Sequence, residues 1–172
     1  SQLPVSSYFD EALHQLELRN IFQRGPRYVG HQLAVPAAGD YYVLPQEGEG
    51  RALVRTASGV ELISNVCRHR QAVMLKGRGS LHQSAKGSAG GNIVCPLHRW
   101  TYDLSGNLLG APHFEPQPCA RLGSTPLQNW RGLLFEGPRD VARDLAAAGI
   151  PGEIDFSGHV LDHVDGQAGA VG

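Results

Sequence analysis

Two short phrases constrain this chain more than anything else in it: Cys67-Arg-His69 and Cys95-Pro-Leu-His98. Each sets a thiol and an imidazole two or three residues apart, and 25 residues lie between His69 and Cys95. A short loop that points a Cys and a His the same way can clamp a metal centre, and two such loops can close on it from both sides. Three readings fit the residue types. The cysteines are small core residues and the histidines fall there by chance; or two thiolates and two imidazoles hold a structural zinc ion; or they hold a 2Fe-2S cluster, two Cys on one iron and two His on the other.

The pairing within each loop bears on the choice. Zinc loops commonly pair like with like, as Cys-x2-Cys or His-x3-His, whereas each loop here carries one Cys and one His. That suits a cluster whose two irons each take one ligand from each loop. The charges have a consequence as well. Two ferric ions, two sulfides and two thiolates sum to zero with neutral imidazoles, so an added electron is held more readily than on a four-thiolate cluster. The histidine-bound iron is then the one reduced, with its imidazoles as the exit for the electron if they face solvent.

The rest of the chain supplies the setting. At 172 residues, with 41% hydrophobic and 18% charged side chains, it has enough chain for one globular core. A net charge of -1 gives no general attraction to nucleic acid or to an acidic membrane surface, and no apolar run approaches the length of a membrane span. The opening SQLPVSSYFDEAL lacks the basic and apolar regions of a secretory signal. Three cysteines are a poor disulfide framework, so a reducing cytoplasm is the expected compartment.

Ser6 and Ser7 before Asp10 and Glu11 predict a helix start, and Phe9, Leu13, Leu16 and Ile21 extend it as one amphipathic helix over 8–20. From Tyr28 the period changes to short β-type runs, YVGHQLAV, YYVLP, RALVRT and VELISNV, separated by turn-forming AAGD, EGEG and ASG. WTYDLSGNLLG predicts a hairpin about Ser105-Gly106-Asn107, and RLGSTPLQNWRGLLFEG two strands near 120–127 and 130–136. Asp140 to Gly149 predicts a short capped helix. The Gly, Ser, Ala and Lys bias of 77–91 reads as a loop. The expected fold class is all-β: antiparallel sheets with a small subdomain bearing the two Cys/His loops, an N-terminal helix and a short C-terminal helix.

The phrases NVCRHR and CPLHRWTYD, the latter followed by G, L, G and P at spaced positions, closely resemble the two cluster-binding boxes of Rieske proteins. The respiratory members of that family carry one further Cys in each box, joined as a disulfide; Ala72 and Leu97 stand at those positions, and Cys119 is too distant to substitute. A membrane anchor is missing too. The longer match, through IFQRGPRYVGHQLAVPAAGDYYVL, LVRTASGVELISNVCRHR and VCPLHRWTYDLSGNLLGAPHF, resembles the large subunit of aromatic-ring-hydroxylating oxygenases over about 5–161. The resemblance implies Cys67, His69, Cys95 and His98 as ligands of a Rieske 2Fe-2S cluster. It implies one-electron transfer from a reductase or ferredoxin to a non-heme iron oxygenase domain, usually in a neighbouring subunit. A free-standing Rieske ferredoxin is the alternative, and the leading arm, which such ferredoxins usually lack, argues against it. The implied division is a helical arm over 1–26, a Rieske domain over 27–137 with its loops about 64–114, and 138–172 as a short helix with the start of a catalytic domain.

Departures from the family pattern are informative. The gap between the boxes is long, the glycine expected after His98 is Arg99, and the one after Arg70 is Gln71. The Asp-x2-His-x4-His motif for mononuclear iron is absent, so this chain by itself is not expected to oxygenate a substrate. His159, His163 and Asp165 share one face of an extended strand but would spread over roughly 20 Å, and they read as polar edge residues. Arg68, Arg70 and Arg99 flank the ligands as a collar for an acidic redox partner or as ties to neighbouring backbone. Trp100 shields the cluster or fills core, and Pro112 resembles the proline of a covering third loop. His82 reads as solvated, His14, His31 and His113 have no evident partner, and Cys119 is an idle thiol.

Overall fold

The computed structural model describes residues 3–81 and 91–150. Its frame is three antiparallel sheets. The largest has the order β5-β2-β3-β4-β9, from Arg78–Ser80 (β5), Asp40–Val43 (β2), Arg51–Arg55 (β3), Val60–Ser64 (β4) and Ser124–Thr125 (β9). A second joins Arg27–His31 (β1), Leu133–Glu136 (β11) and Gln128–Trp130 (β10). The third, small and separate, joins Ile93–Val94 (β6), Thr101–Tyr102 (β7) and Leu108–Gly110 (β8). The expected all-β architecture is present.

The five-stranded sheet is buried on both faces, which is why its central strand reads as a continuous apolar run rather than an alternation. Successive side chains point to opposite faces of a strand. On β3, Leu53 joins Val29, Val35, Leu44, Leu62 and Leu134 in one core, while its neighbours Ala52 and Val54 join the other. That second core holds Ile63, Ile93, Leu122 and Tyr102, and with them Cys67, Cys95 and Trp100. The sheet thus braces the Cys/His loops from below and the second sheet from above.

Between β1, β3 and β11 lies a four-residue ion-pair cluster. Arg51 bridges Glu47 and Glu136, at 2.5 and 2.6 Å, and Arg27 pairs with the same two carboxylates. These contacts fasten strands 109 residues apart in sequence.

Several sequence expectations shift by a few residues, each for a local reason. The N-terminal helix is Glu11–Glu17 (α1), continued by a wider turn over Leu18–Phe22. Its N-cap is Asp10, whose carboxylate accepts the Ala12 and Leu13 amides, while Ser6 and Ser7 lie in a preceding 3-10 turn. α1 buries no residue. The first strand stops at His31, because the His31 imidazole accepts the Leu33 amide and starts a 3-10 turn. The expected pair of strands over 120–136 is three, since Pro126 cannot donate a ladder hydrogen bond and marks the crossing from β9 to β10 in the other sheet. The biased stretch from Gly77 is not all loop. Arg78–Ser80 pairs with β2, where Gly79 leaves room for the Tyr41 ring; residues 82–90, with His82, lie outside the described residues. So do His159, His163 and Asp165.

The C-terminal helix forms as expected over Val141–Ala147 (α2), with the Asp140 carboxylate accepting the Arg143 amide and Gly149 left-handed at φ +74°. Val141 is buried and donates its amide to Gln128 Oε1, which fixes α2 to the second sheet.

Candidate metal centre

The two Cys/His loops share one backbone design. In the first, the Cys67 amide donates to the Ala72 carbonyl at 2.9 Å and the Gln71 amide to the Cys67 carbonyl at 3.0 Å. In the second, the Cys95 amide donates to the Trp100 carbonyl at 2.8 Å and the Arg99 amide to the Cys95 carbonyl at 3.1 Å. Both are five-residue turns closed at the Cys, and both place their fifth residue in the left-handed region, Gln71 at φ +56° and Arg99 at φ +63°. That conformation favours glycine. The two positions where the sequence departs from the family's glycines are therefore among the five non-glycine residues held left-handed in the described chain.

Within each turn the Cys is the buried member: Cys67 and Cys95 are each 1% exposed, and both are free thiols. His69 is half-buried and His98 exposed. Their rings meet edge to face with centroids 4.7 Å apart. Trp100 stacks on His69 at 4.9 Å and only 8° from parallel. The third loop reaches the site through Phe114, whose ring edge contacts both His69 and Trp100 at 5.4 and 5.2 Å. Pro112 is exposed at the start of that same turn. Arg70 is exposed and acts on His69 through charge. Loss of solvent, then His98, then Arg70 favour the neutral His69 imidazole, the form that ligates metal.

Three residues that sequence reading passed over organise the site. Asn65 is fully buried and satisfied: its amide nitrogen donates to the Glu49 and Leu75 carbonyls, and its oxygen accepts the Leu75 amide at 2.8 Å. It ties both ends of the first loop to β3's approach. Tyr102, also fully buried, sets its hydroxyl 3.4 Å from Cys67 Sγ and accepts the Arg68 amide at 3.2 Å. Burial foremost, then the Cys67 thiol, push the phenol well above its ordinary value, so it stays protonated and able to donate. Phe114 is the third. Asn65 opens the first box and Tyr102 lies within the second, but the long-range partners that give them their roles are invisible in a linear pattern.

The donor set can be tested against the metals it was expected to hold. His69 Nδ1 and Trp100 Nε1 are buried with no hydrogen-bond partner among the described residues. A buried polar nitrogen left unpaired costs about 1–3 kcal/mol, and a metal bond to His69 Nδ1 would recover it. Two Cys and two His, one of each from either loop, are a donor set that fits a 2Fe-2S cluster, each iron of which needs only two ligands from the protein.

Matched loops of this kind, seated on an antiparallel frame, are the pattern of an iron–sulfur domain. Residues 25–129 match the Rieske [2Fe-2S] domain family, and the chain belongs to it. It has homologues among Rieske oxygenase large subunits. It is 62% identical over 165 residues to a putrescine 2-hydroxylase of Ralstonia nicotianae, covering 96% of this chain and 43% of that protein. It is 32% identical to the biphenyl 2,3-dioxygenase alpha subunit of Rhodococcus jostii, covering 95% of this chain and 35% of that one. Among solved structures, the quaternary ammonium Rieske monooxygenase CntA superimposes with a TM-score of 0.64 at 21% identity, over 84% of this chain and 41% of that one. The chain thus spans about two-fifths of the length of the putrescine 2-hydroxylases it matches. None of its described helices is long and apolar enough to cross a membrane.

Proposed function

We propose that this chain is the electron-transfer part of a Rieske oxygenase that hydroxylates an aliphatic amine. Cys67 and Cys95 would hold one iron of the 2Fe-2S cluster, and His69 and His98 the other. The observation that carries the reading is the buried, unpartnered Nδ1 of His69 between two matched loops that each bury a free thiol. When bound, the cluster supplies one reversible electron step and no proton chemistry of its own.

The chain's residues do the rest. Tyr102 donates a hydrogen bond toward Cys67 Sγ, drawing charge off the sulfur. Trp100 and Phe114 cover the His69 ring and exclude water from one side. His98, exposed, is the edge through which a partner gains access. The electron comes from a reductase or ferredoxin and is destined for a non-heme iron oxygenase domain, in the same or a neighbouring subunit. Identity falls from 62% with a putrescine hydroxylase to 32% with an arene dioxygenase, which supports an amine rather than an aromatic ring as the whole enzyme's substrate. The N-terminal arm falls within the span shared with those relatives, which supports an oxygenase part over a free-standing carrier.

Anaerobic reconstitution with ferrous iron and sulfide tests the site. The expected product is red-brown, takes up one electron per chain from dithionite, and then gives a Rieske-type EPR spectrum. Replacing His69 or Cys95 by Ala should abolish that spectrum while the β-sheet circular dichroism persists. Stoichiometric zinc in protein purified from cells, with no cluster formed on reconstitution, would overturn the assignment.

A further inference from the structure

The two Cys/His loops are closed in different ways. The second is the end of a strand pair, with Ile93 opposite Tyr102 and Val94 opposite Thr101. The first follows β4 directly but has no strand on its return leg: residues 74–77 form none, and an isolated bridge from Val66 to Val73 crosses it. Asn65 supplies what a ladder would. Its backbone donates to the Gly50 carbonyl at 2.9 Å and accepts the Met74 amide at 3.0 Å. Its side chain takes both polar groups of Leu75, accepting the amide and donating to the carbonyl at 2.8 Å each. The second N–H of that side chain goes to the Glu49 carbonyl at 2.9 Å. One planar group thus gives two donors and an acceptor, which among side chains of this length only Asn offers. A fully buried amide gains little stability over well-packed apolar atoms, and its effect is to select one arrangement. The arrangement selected here holds 65–75, the span that carries Cys67 and His69, against the 47–50 turn. That turn is fixed in its own right: Gly48 and Glu49 are left-handed at φ +60° and +63°, and the Glu47 carboxylate lies in the ion-pair cluster.

We propose that Asn65 is the positioning residue of the metal centre: its amide replaces the ladder that the first loop lacks and fixes Cys67 and His69 relative to the second loop. This rests on the reading of the site given above and adds the residue that sets the spacing between its two halves. Asn65 touches no reacting atom and acts through the backbone at both ends of the loop. It is fully buried, so a body packing on the outside of this chain does not reach it. Without its amide the Cys67 turn keeps its own closure, Cys67 amide to Ala72 carbonyl and Gln71 amide to Cys67 carbonyl. What is lost is the place of that turn on the frame. The consequence is a centre that still forms but is held loosely and in more than one geometry.

The test compares cluster-loaded chains carrying Asn65→Asp, which is close to isosteric but loses both donors, and Asn65→Ser, which is milder. Val29→Ala, in the other core, is the control for lost stability. Each is measured at a urea concentration equally far below its own unfolding midpoint, so that global stability is matched. Loss of the cluster to excess chelator, followed by its visible absorbance, should quicken roughly ten- to a hundredfold in both Asn65 variants. In Val29→Ala it should stay within about twofold of the parent, as for a change without shared partners. The Rieske EPR lines should broaden in the Asn65 variants and keep the parent width in the control. In the unaltered loaded chain, hydrogen exchange read by mass spectrometry should find residues 73–76 as protected as β3, a measurement that stands even where neither Asn65 variant folds. Three results would each overturn the positioning role and leave the cluster assignment standing. These are equal quickening in Val29→Ala, EPR lines unchanged in the Asn65 variants, and exchange of 73–76 at the rate of an exposed loop. Failure of the parent chain to form a cluster at all would remove both readings.

Discussion

At the scale of single residues, the site depends on hydrogen bonds to groups whose charge changes. The Tyr102 hydroxyl lies 3.4 Å from Cys67 Sγ, and a hydrogen bond donated to a metal-holding thiolate would stabilise its negative charge by about 1.5–3 kcal/mol. Each added electron makes the sulfurs more negative, so the bond favours the reduced state. Tyr102→Phe should therefore lower the reduction potential of the loaded chain by an amount on the order of 60 mV, the equivalent of a tenfold change for one electron. Protein-film voltammetry would show it, and an unmoved potential would mean that the hydroxyl serves the Arg68 amide alone. Gln71 poses the opposite case, since it is held at φ +56° in a conformation that favours glycine. Gln71→Gly should stabilise the chain by about 0.5–1 kcal/mol in urea unfolding. The two Cys/His pairs and their spacing were legible in the sequence because a metal-binding loop needs specific atoms close together along the chain. Asn65 and Tyr102 were not, because an Asn or a Tyr is recognised as a support only once its partners across 10 or 35 residues are known.

At the scale of elements, strands could be read where the apolar period ran unbroken, and boundaries were missed where one side chain captured a backbone group. His31 ended β1 by accepting the Leu33 amide, and Pro126 passed the chain from one sheet to another. What holds the elements to each other was still less legible. Glu47 and Glu136 both have their carboxyls held below the ordinary range, first by the hydrogen bond from Arg51 and then, against an opposing cost of burial, by Arg27. A carboxyl depressed in the folded state gives stability that is present above its unfolded pKa, about 4.3, and is lost as pH falls through the folded value. Urea midpoints should therefore fall as pH drops below about 5. Arg51→Met removes the central partner of two carboxylates that are only 14% and 13% exposed. It should cost about 1–3 kcal/mol at neutral pH and flatten the acid limb. An unaltered acid limb in that variant would assign the acid sensitivity to other carboxyls.

At the scale of the whole molecule, two surfaces differ in kind. The loops about His98 expose Arg68, Arg70 and Arg99, whereas the N-terminal arm shows Val5, Tyr8, Phe9, Ile21 and Phe22 at 60% exposure or more, and α1 buries nothing. Helical periodicity in the sequence announced an apolar stripe there, and periodicity says only that a stripe exists, not which body covers it. The described cores draw no residue from the arm: both are built from Val29 onward. The arm thus contributes nothing to either described core, while Arg27, the first strand residue, belongs to the ion-pair cluster. Removing residues 1–23 should leave the urea unfolding free energy within about 0.5 kcal/mol of the parent, as expected for a change that touches no core. It should leave the Rieske EPR spectrum of the reconstituted chain unchanged and reduce self-association, since an exposed apolar ridge of this extent favours it. A truncated chain that unfolds at markedly lower urea would instead show the arm bracing the first sheet, and the loops above it, within a single folded unit.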